Sequence, residues 1–537
     1  MRWMTPLVLL LLGLTAAVLA MRPPAPAPAD AGPGVFSAGR AMTDVRAIAQ
    51  RPHPIGSAES VRVQDYLLKR MADLGLQPQA RPFASDRGKG RNLISVLPGR
   101  DRQAPALLLM AHSDSVPTGP GAADDAAGVA AVLETVRALA IAPRQRDVMV
   151  LFTDGEEAGT LGAKAFFASD PARAHVGLVI NLEARGDRGR AVMFETNRGA
   201  APLIHALVDT DSLAGASSLM PDLYRRLPNG TDLTEALAHG YVGLNFAFFG
   251  GFDAYHRPSD TPQALDPGSL QHIGEQVLRA ARALTTTTDS LPSRAPDQTY
   301  ADILGGPVLQ YPAAVGWALA LLAGGGLAAY ALRPATRGRL SLAGVGAGAL
   351  AFLGLIVALA VVLQALGMAR IALTGHHLAP LLRHAGGARI GAALLAMGLS
   401  LAWASLAGWR LRTESLVFGA LAVLAAGAVA LQAVAPLDAF ILAWPLIGIC
   451  LAVTLGGPDR PWVRAVILVA VLAEILYWTL LMFDLVGQTT PAALAPFAAL
   501  GVAALLPCAP RANARAGAAG AALAVAGFGI SLLALTG

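Results

Sequence analysis

The second half of the chain limits the possible folds most sharply. From residue 306 onward, predominantly apolar runs recur near 311–332, 340–368, 389–409, 415–435, 438–456, 463–486, 491–508 and 516–536. A helix of about 20 apolar residues spans the hydrocarbon core of a bilayer. Eight such runs in series exceed what one aqueous core can bury. They predict an all-α polytopic membrane domain over residues 311–537, with the lipid bilayer as its partner. Residues 306–537 hold 12 Arg, no Lys and 5 acidic residues. The Arg residues cluster in alternate breaks: Arg333, Arg337 and Arg339, then Arg410 and Arg412, then Arg460 and Arg464, then Arg511 and Arg515. The positive-inside rule sends these nine to the cytoplasm and residues 22–305 to the non-cytoplasmic, periplasmic or luminal, side. Residues 1–21 are apolar behind Arg2 and predict a signal anchor, the alternative being a signal peptide cleaved after Val18-Leu19-Ala20.

The first half is different in kind. Residues 22–305 hold 28 Lys and Arg against 31 Asp and Glu, the balance of an ordinary water-exposed domain. No basic stripe or nucleic-acid motif is present, so nucleic acid is not an expected partner. Both cysteines, Cys450 and Cys508, lie in the apolar half, which excludes a disulfide framework in the first half. A Pro/Ala-rich linker is expected at 22–38 and another linker at 291–310. Between them, short apolar runs at 92–97, 105–111, 147–153, 176–182, 191–195 and 243–249 alternate with helical patterns at 126–140, 159–168, 200–210 and 266–285. Two further helices precede them, at 39–50 and 57–75. This alternation predicts an α/β domain over 39–290, a three-layer sandwich with a mixed, largely parallel central sheet.

Five segments of this domain carry chemistry, each where an apolar strand gives way to a loop or a helix begins. Leu107–Ala111 delivers His112, and Asp114 two residues on is placed to accept the second imidazole N–H. In Gly121-Ala122-Ala123-Asp124-Asp125 two carboxylates open a helix; Asp124 can bridge two cations, with Asp125 supporting from behind. In Phe152-Thr153-Asp154-Gly155-Glu156-Glu157, three acids stand within four residues, an arrangement that cations relieve. There Glu157 reads as a metal ligand and Glu156 as the catalytic base. Glu183 ends the strand 176–182, and Tyr255-His256 follows the strand 243–249. Taken singly, H-x-D, a helix-opening Asp and a lone Glu are commoner as structural features. Together, two His and three carboxylates suit two zinc ions about 3.5–4 Å apart.

These segments, AHSDS, GAADDAAG, FTDGEEAG, NLEARG and YHRPSDT, resemble in order and spacing the di-zinc aminopeptidase family, which includes secreted bacterial leucyl aminopeptidases and glutamate carboxypeptidase II. The resemblance covers about residues 40–290. It implies the zinc exopeptidase fold and two zinc ions per chain. One ion would be held by His112 and Glu183, the other by Glu157 and His256, with Asp124 between them and Glu156 as general base. Many soluble members carry Asp where this chain has Glu183. A Glu there, with a multi-spanning second half, is more similar to the membrane metallopeptidases of the endoplasmic reticulum and vacuole.

The expected activity is removal of an N-terminal residue from a peptide. Tyr255 and Asp232 are candidates for contact with substrate or its oxyanion. Two alternatives stay open: a single-zinc acyltransferase of the glutaminyl cyclase kind, which shares this fold, and a transporter or scaffold with an accessory peptidase-like domain. Within the apolar half, Glu474 with Tyr477 and Trp478 is a candidate intramembrane polar group. Gly324-Gly325-Gly326 suggests close helix packing.

Overall fold

The computed structural model describes residues 4–535 except 211–214, 287–291, 293, 334–335, 376–384, 457–459 and 510–513. Arg2 and Arg511 of the charge pattern lie outside the described residues. The chain divides into two compact units, Arg22–Gln310 and Met1–Met21 with Tyr311–Gly537.

The first unit is built on a seven-stranded sheet. Its strands are β1 (Gln79–Ser85), β2 (Gly88–Leu97), β3 (Ala106–His112), β4 (Val148–Thr153), β5 (Val176–Ala184), β6 (Arg188–Thr196) and β7 (Gly243–Gly250). Their order is β1-β2-β4-β3-β5-β7-β6. The four central strands, β4-β3-β5-β7, run parallel, and both margins are antiparallel. The sequence shows why. The central strands are continuous apolar runs, buried on both faces as parallel strands between helical layers must be. Along β3, Leu107, Leu109 and Ala111 join one core with the helices Ala38–Ile48, Gly128–Ala140 and Pro267–Thr285. Leu108 and Met110 point the other way, into a second core with Phe166, Phe167, Leu233 and Ala236. Two apolar faces on one strand make three layers.

Three features depart from expectation. The sheet gains β1, a margin strand that is exposed along most of its length and so shows no apolar run. The Pro/Ala-rich segment 22–38 is fastened to the domain. Gln271 accepts from the Ala27 and Ala38 N–H groups, Arg137 donates to the Pro33 and Val35 carbonyls, and Arg282 donates to Gly34 O. The expected linker 291–310 contributes most of a two-stranded ribbon, Gln298–Asp302 with Val308–Pro312, and Asp302 N–H continues to Ala216 O. Segment 22–38 and Asp302 find these partners far along the chain, where local composition cannot reveal them.

In the second unit every predicted apolar run is helical. Among the described residues, seven helices have the length and composition to cross a membrane; Phe440–Leu455 and Met4–Ala20 are apolar but shorter. The helices Ala385–Arg410 and Ala514–Leu533 meet along glycines seven residues apart. A Cβ on Gly391 or Gly398 would fall 2.6 or 2.5 Å from the carbonyl of Gly527 or Gly520. Of Gly324–Gly326, only Gly326 meets a neighbouring helix, at Cys450. Glu474 accepts a hydrogen bond from Trp478 Nε1 (2.8 Å), one turn along its own helix.

Candidate metal centre

The parallel centre of the sheet decides where the site forms, because strands running the same way present all their C-terminal ends at one edge. His112 is the last residue of β3, Glu183 the penultimate residue of β5, and Glu156 and Glu157 follow β4. The helix-opening segment Ala122–Ala127 and the loop after β7 supply Asp124 and His256.

All five proposed ligands converge. His112 Nε2 lies 3.2 Å from Asp124 Oδ1 and 3.8 Å from Glu183 Oε2. His256 Nε2 lies 3.2 Å from Asp124 Oδ2 and 3.1 Å from Glu157 Oε2. Two donor triads result, His112–Asp124–Glu183 and Asp124–Glu157–His256, each with its ligand atoms within 4.8 Å of one another. Asp124 belongs to both and gives one oxygen to each.

The surroundings hold these groups in place. Asp260 Oδ1 accepts from Ala123 N–H (2.7 Å) and Oδ2 from Asp124 N–H (3.3 Å). Asp125, joined to Asp124 by a cis peptide bond, accepts from the N–H groups of His112 and Gly128. A Cβ on Gly128 would fall 2.3 Å from the Asp125 carboxylate, so glycine gives that carboxylate its room. His256 sits at φ 59, in the left-handed region, and its carbonyl accepts from Thr118 Oγ1. Its ring stacks on Tyr255, with centroids 3.7 Å apart.

Asp114 behaves differently from expectation. The nearer partner of His112 Nδ1 is the Asp114 carbonyl (3.0 Å); the carboxylate stands at 3.6 Å. That carboxylate instead accepts from the backbone N–H groups of Glu156 (3.0 Å) and Glu157 (3.3 Å), and so positions the acid pair. Asp232 opens the helix Asp232–Ala238, fully buried, and is bonded to Thr153 Oγ1.

The electrostatics are those of too many buried anions. Burial, then the charges of Asp232, Glu157 and Asp124, push Glu156 well above the usual carboxylate range. Burial and Glu156 do the same to Glu183. Asp124 is held low against its burial by His112 and His256. Burial opposes the charged form of His256, but Asp124 and Glu157 outweigh it and raise the imidazole to about 10. Glu157 Oε1 is buried without a hydrogen-bond partner among the described residues. Carboxylates and imidazoles so placed fit divalent cations, whose charge reverses this balance.

The centre floors a cleft of about 400 Å³ that Asp124, Glu156, Glu157, Glu183 and Tyr255 help to line. Arg185, Tyr224, Phe194 and Phe249 line it too. The sequence reading gave no role to Asp260, Arg185 or Tyr224. Asp260 and Arg185 stand inside quoted motifs, but Tyr224 has no local signal.

Residues 92–281 match the model of peptidase family M28. A vacuolar membrane protease of Kluyveromyces lactis is 30% identical over 259 residues, 43% of this chain and 28% of its own length. One from Candida albicans is 33% identical over 239 residues, 43% of this chain and 28% of its own. Mouse endoplasmic reticulum metallopeptidase 1 is 31% identical over 234 residues, 42% of this chain and 26% of its own. The chain thus spans under a third of the length of these relatives. Among solved structures, an Aneurinibacillus aminopeptidase overlaps 48% of this chain and 97% of its own at a TM-score of 0.40 and 14% identity. A Porphyromonas gingivalis glutaminyl cyclase overlaps 46% of this chain and 98% of its own at 0.38 and 22%.

Proposed function

We propose that this membrane protein, whose residues 92–281 form a peptidase family M28 domain, is a zinc-dependent exopeptidase that removes N-terminal residues from peptides on the non-cytoplasmic side of its membrane. The observation that carries the reading is Asp124, whose two oxygens each lie 3.2 Å from a different histidine and join two donor triads. His112, Asp124 and Glu183 would hold one zinc, and Asp124, Glu157 and His256 the other. Bound zinc supplies Lewis acidity toward a peptide carbonyl and acidifies water.

The remaining steps belong to the protein. Glu156 accepts the proton of the attacking water and delivers it to the leaving amine. Asp114, holding the Glu156 and Glu157 backbone, keeps base and ligand in register. Burial, with the charges of Asp124 and Glu157, keeps the Tyr255 phenol protonated, so it can donate to the developing oxyanion. The alternation of Arg clusters supports the non-cytoplasmic placement.

Glu156→Gln removes the base and keeps the shape. Peptide hydrolysis should fall roughly 10²–10⁴-fold, with zinc content by metal analysis at the wild-type value. A variant that still turns over peptides normally would reassign the base. Zinc stoichiometry also separates the alternatives: two per chain supports the peptidase, one per chain the cyclase.

A further inference from the structure

The cleft carries a cation that the peptide-bond chemistry above does not use. Arg185 follows Glu183 by two residues, and its N–H continues the ladder of β5 by donating to Phe248 O (3.0 Å). Residues two apart on a strand project to the same face, about 7 Å from one another. The guanidinium therefore stands beside the ligand set, and it lines the same cleft. Its flat face is occupied: the guanidinium carbon lies 5.1 Å from the Phe252 ring centre and 5.8 Å from that of Tyr255. Its edge is not. Arg185 Nε is buried with no hydrogen-bond partner, and Arg185 makes no ion pair among the described residues.

A second donor stands with it. Among the described residues Tyr224 Oη is also buried without a partner, and it lines the same cleft. The Arg185 charge acts on the phenols of both Tyr224 and Tyr255. Tyr224 is fixed edge-on to Phe194 (4.9 Å), which packs edge-on to Phe249 (5.4 Å). A buried donor left unsatisfied is costly, and a guanidinium edge matches a planar carboxylate. Two such donors in one cleft describe a seat for an anion.

We propose that Arg185 and Tyr224 bind a carboxylate that the substrate carries close to its scissile bond, so that the preferred substrates are short peptides with a free C-terminus, dipeptides above all. This rests on the peptidase reading and narrows its substrate class. A dipeptide places its C-terminal carboxylate one residue beyond the bond that is cut, within reach of a cation beside the ligands. A long peptide presents an uncharged amide there and leaves the guanidinium edge unpaired. The acid is worth the gain of a charge-assisted hydrogen bond.

The test uses the full chain, zinc-loaded in detergent, with a neutral dipeptide as free acid and as C-terminal amide. Wild type should favour the acid by roughly 10- to 100-fold in kcat/KM, mostly through KM. Arg185→Ala should lose that preference, the acid-to-amide ratio of kcat/KM falling to about one, while binding the same zinc. Arg185→Lys should restore part of it, and Tyr224→Phe should lower it by a smaller factor. Equal rates for acid and amide in wild type would overturn the proposal and leave the peptidase reading standing. So would an Arg185→Ala variant that slows both substrates equally. Calorimetric binding of a reduced-amide dipeptide analogue, as acid and as amide, gives a readout independent of turnover. If Arg185→Ala weakens the acid alone, the carboxylate seat stands even when neither peptide is hydrolysed; if it weakens neither, the seat is absent.

Discussion

Asp124 is the residue on which the centre depends most. Each histidine touches one triad, whereas the Asp124 carboxylate touches both. Removal of Asp124 should therefore differ in kind from removal of a terminal ligand. In Asp124→Ala, zinc content should fall toward zero and hydrolysis by at least roughly 10- to 100-fold, since a carboxylate shared by both triads is lost. In His256→Ala, one triad remains whole and about one zinc should stay bound. Metal analysis of the two dialysed variants, set against wild type, decides the matter. Equal losses in both would mean that the triads do not fill separately. The convergence of these five residues was legible in the sequence because strand-end carboxylates and histidines in a fixed order are rare by chance. Asp114 was legible as important but not in its action, since which of its oxygens meets the imidazole is set by the loop path. Arg185 and Tyr224 were not legible as partners: they come from segments about forty residues apart, and only the fold brings them to one cleft.

At the scale of elements, strand character was legible where burial is two-sided. The β3, β4, β5 and β7 runs are apolar at almost every position because both faces pack, and those strands carry or lead into four of the five proposed ligands. β1 is exposed at most positions and left no such trace. The helix Pro267–Thr285 shows a different dependence, on pH. It carries His272, whose Nδ1 accepts from Ala191 N–H (2.9 Å) and whose Nε2 faces Arg190 at 3.3 Å. Burial, with Arg190 and Arg279 nearby, pushes this imidazole down to about 3. The unfolded value is about 6.5, so between pH 6.5 and 3 the unfolded chain binds a proton that the folded chain refuses. The contribution to stability is complete above pH 6.5 and is lost as pH falls, by about 1 kcal/mol at pH 5.5. His272→Asn keeps an acceptor for Ala191 N–H and cannot titrate. Its melting temperature should fall less steeply from pH 7 to 5 than that of wild type. Parallel slopes in the two proteins would show that His272 does not set this acid sensitivity.

For the whole molecule, the number of helices that cross turns on Phe440–Leu455. Its 16 residues extend about 24 Å at 1.5 Å per residue, short of the ~30 Å hydrocarbon core, and Pro445 lies inside it. Length alone would leave it out, but charge argues that it crosses. Arg410 and Arg412 precede the helix Thr413–Val434, and Arg460 and Arg464 stand at the start of Pro461–Met482. Both clusters reach the cytoplasm only if the two helices between them each cross. A locally thinned bilayer accommodates a few ångströms of mismatch at modest cost. Single cysteines placed in a Cys450→Ala, Cys508→Ala background and treated with a membrane-impermeant maleimide distinguish the two topologies. Gly375 and Thr489, both exposed, should label from the non-cytoplasmic side, and Arg337, Arg412 and Arg460, also exposed, only after the membrane is opened. If Phe440–Leu455 stays on one side, every later position inverts: Arg460→Cys labels from outside and Thr489→Cys does not. Gly375 and Arg412 precede the disputed helix and report the same side in both cases. The pair at 460 and 489 therefore reads the crossing by itself.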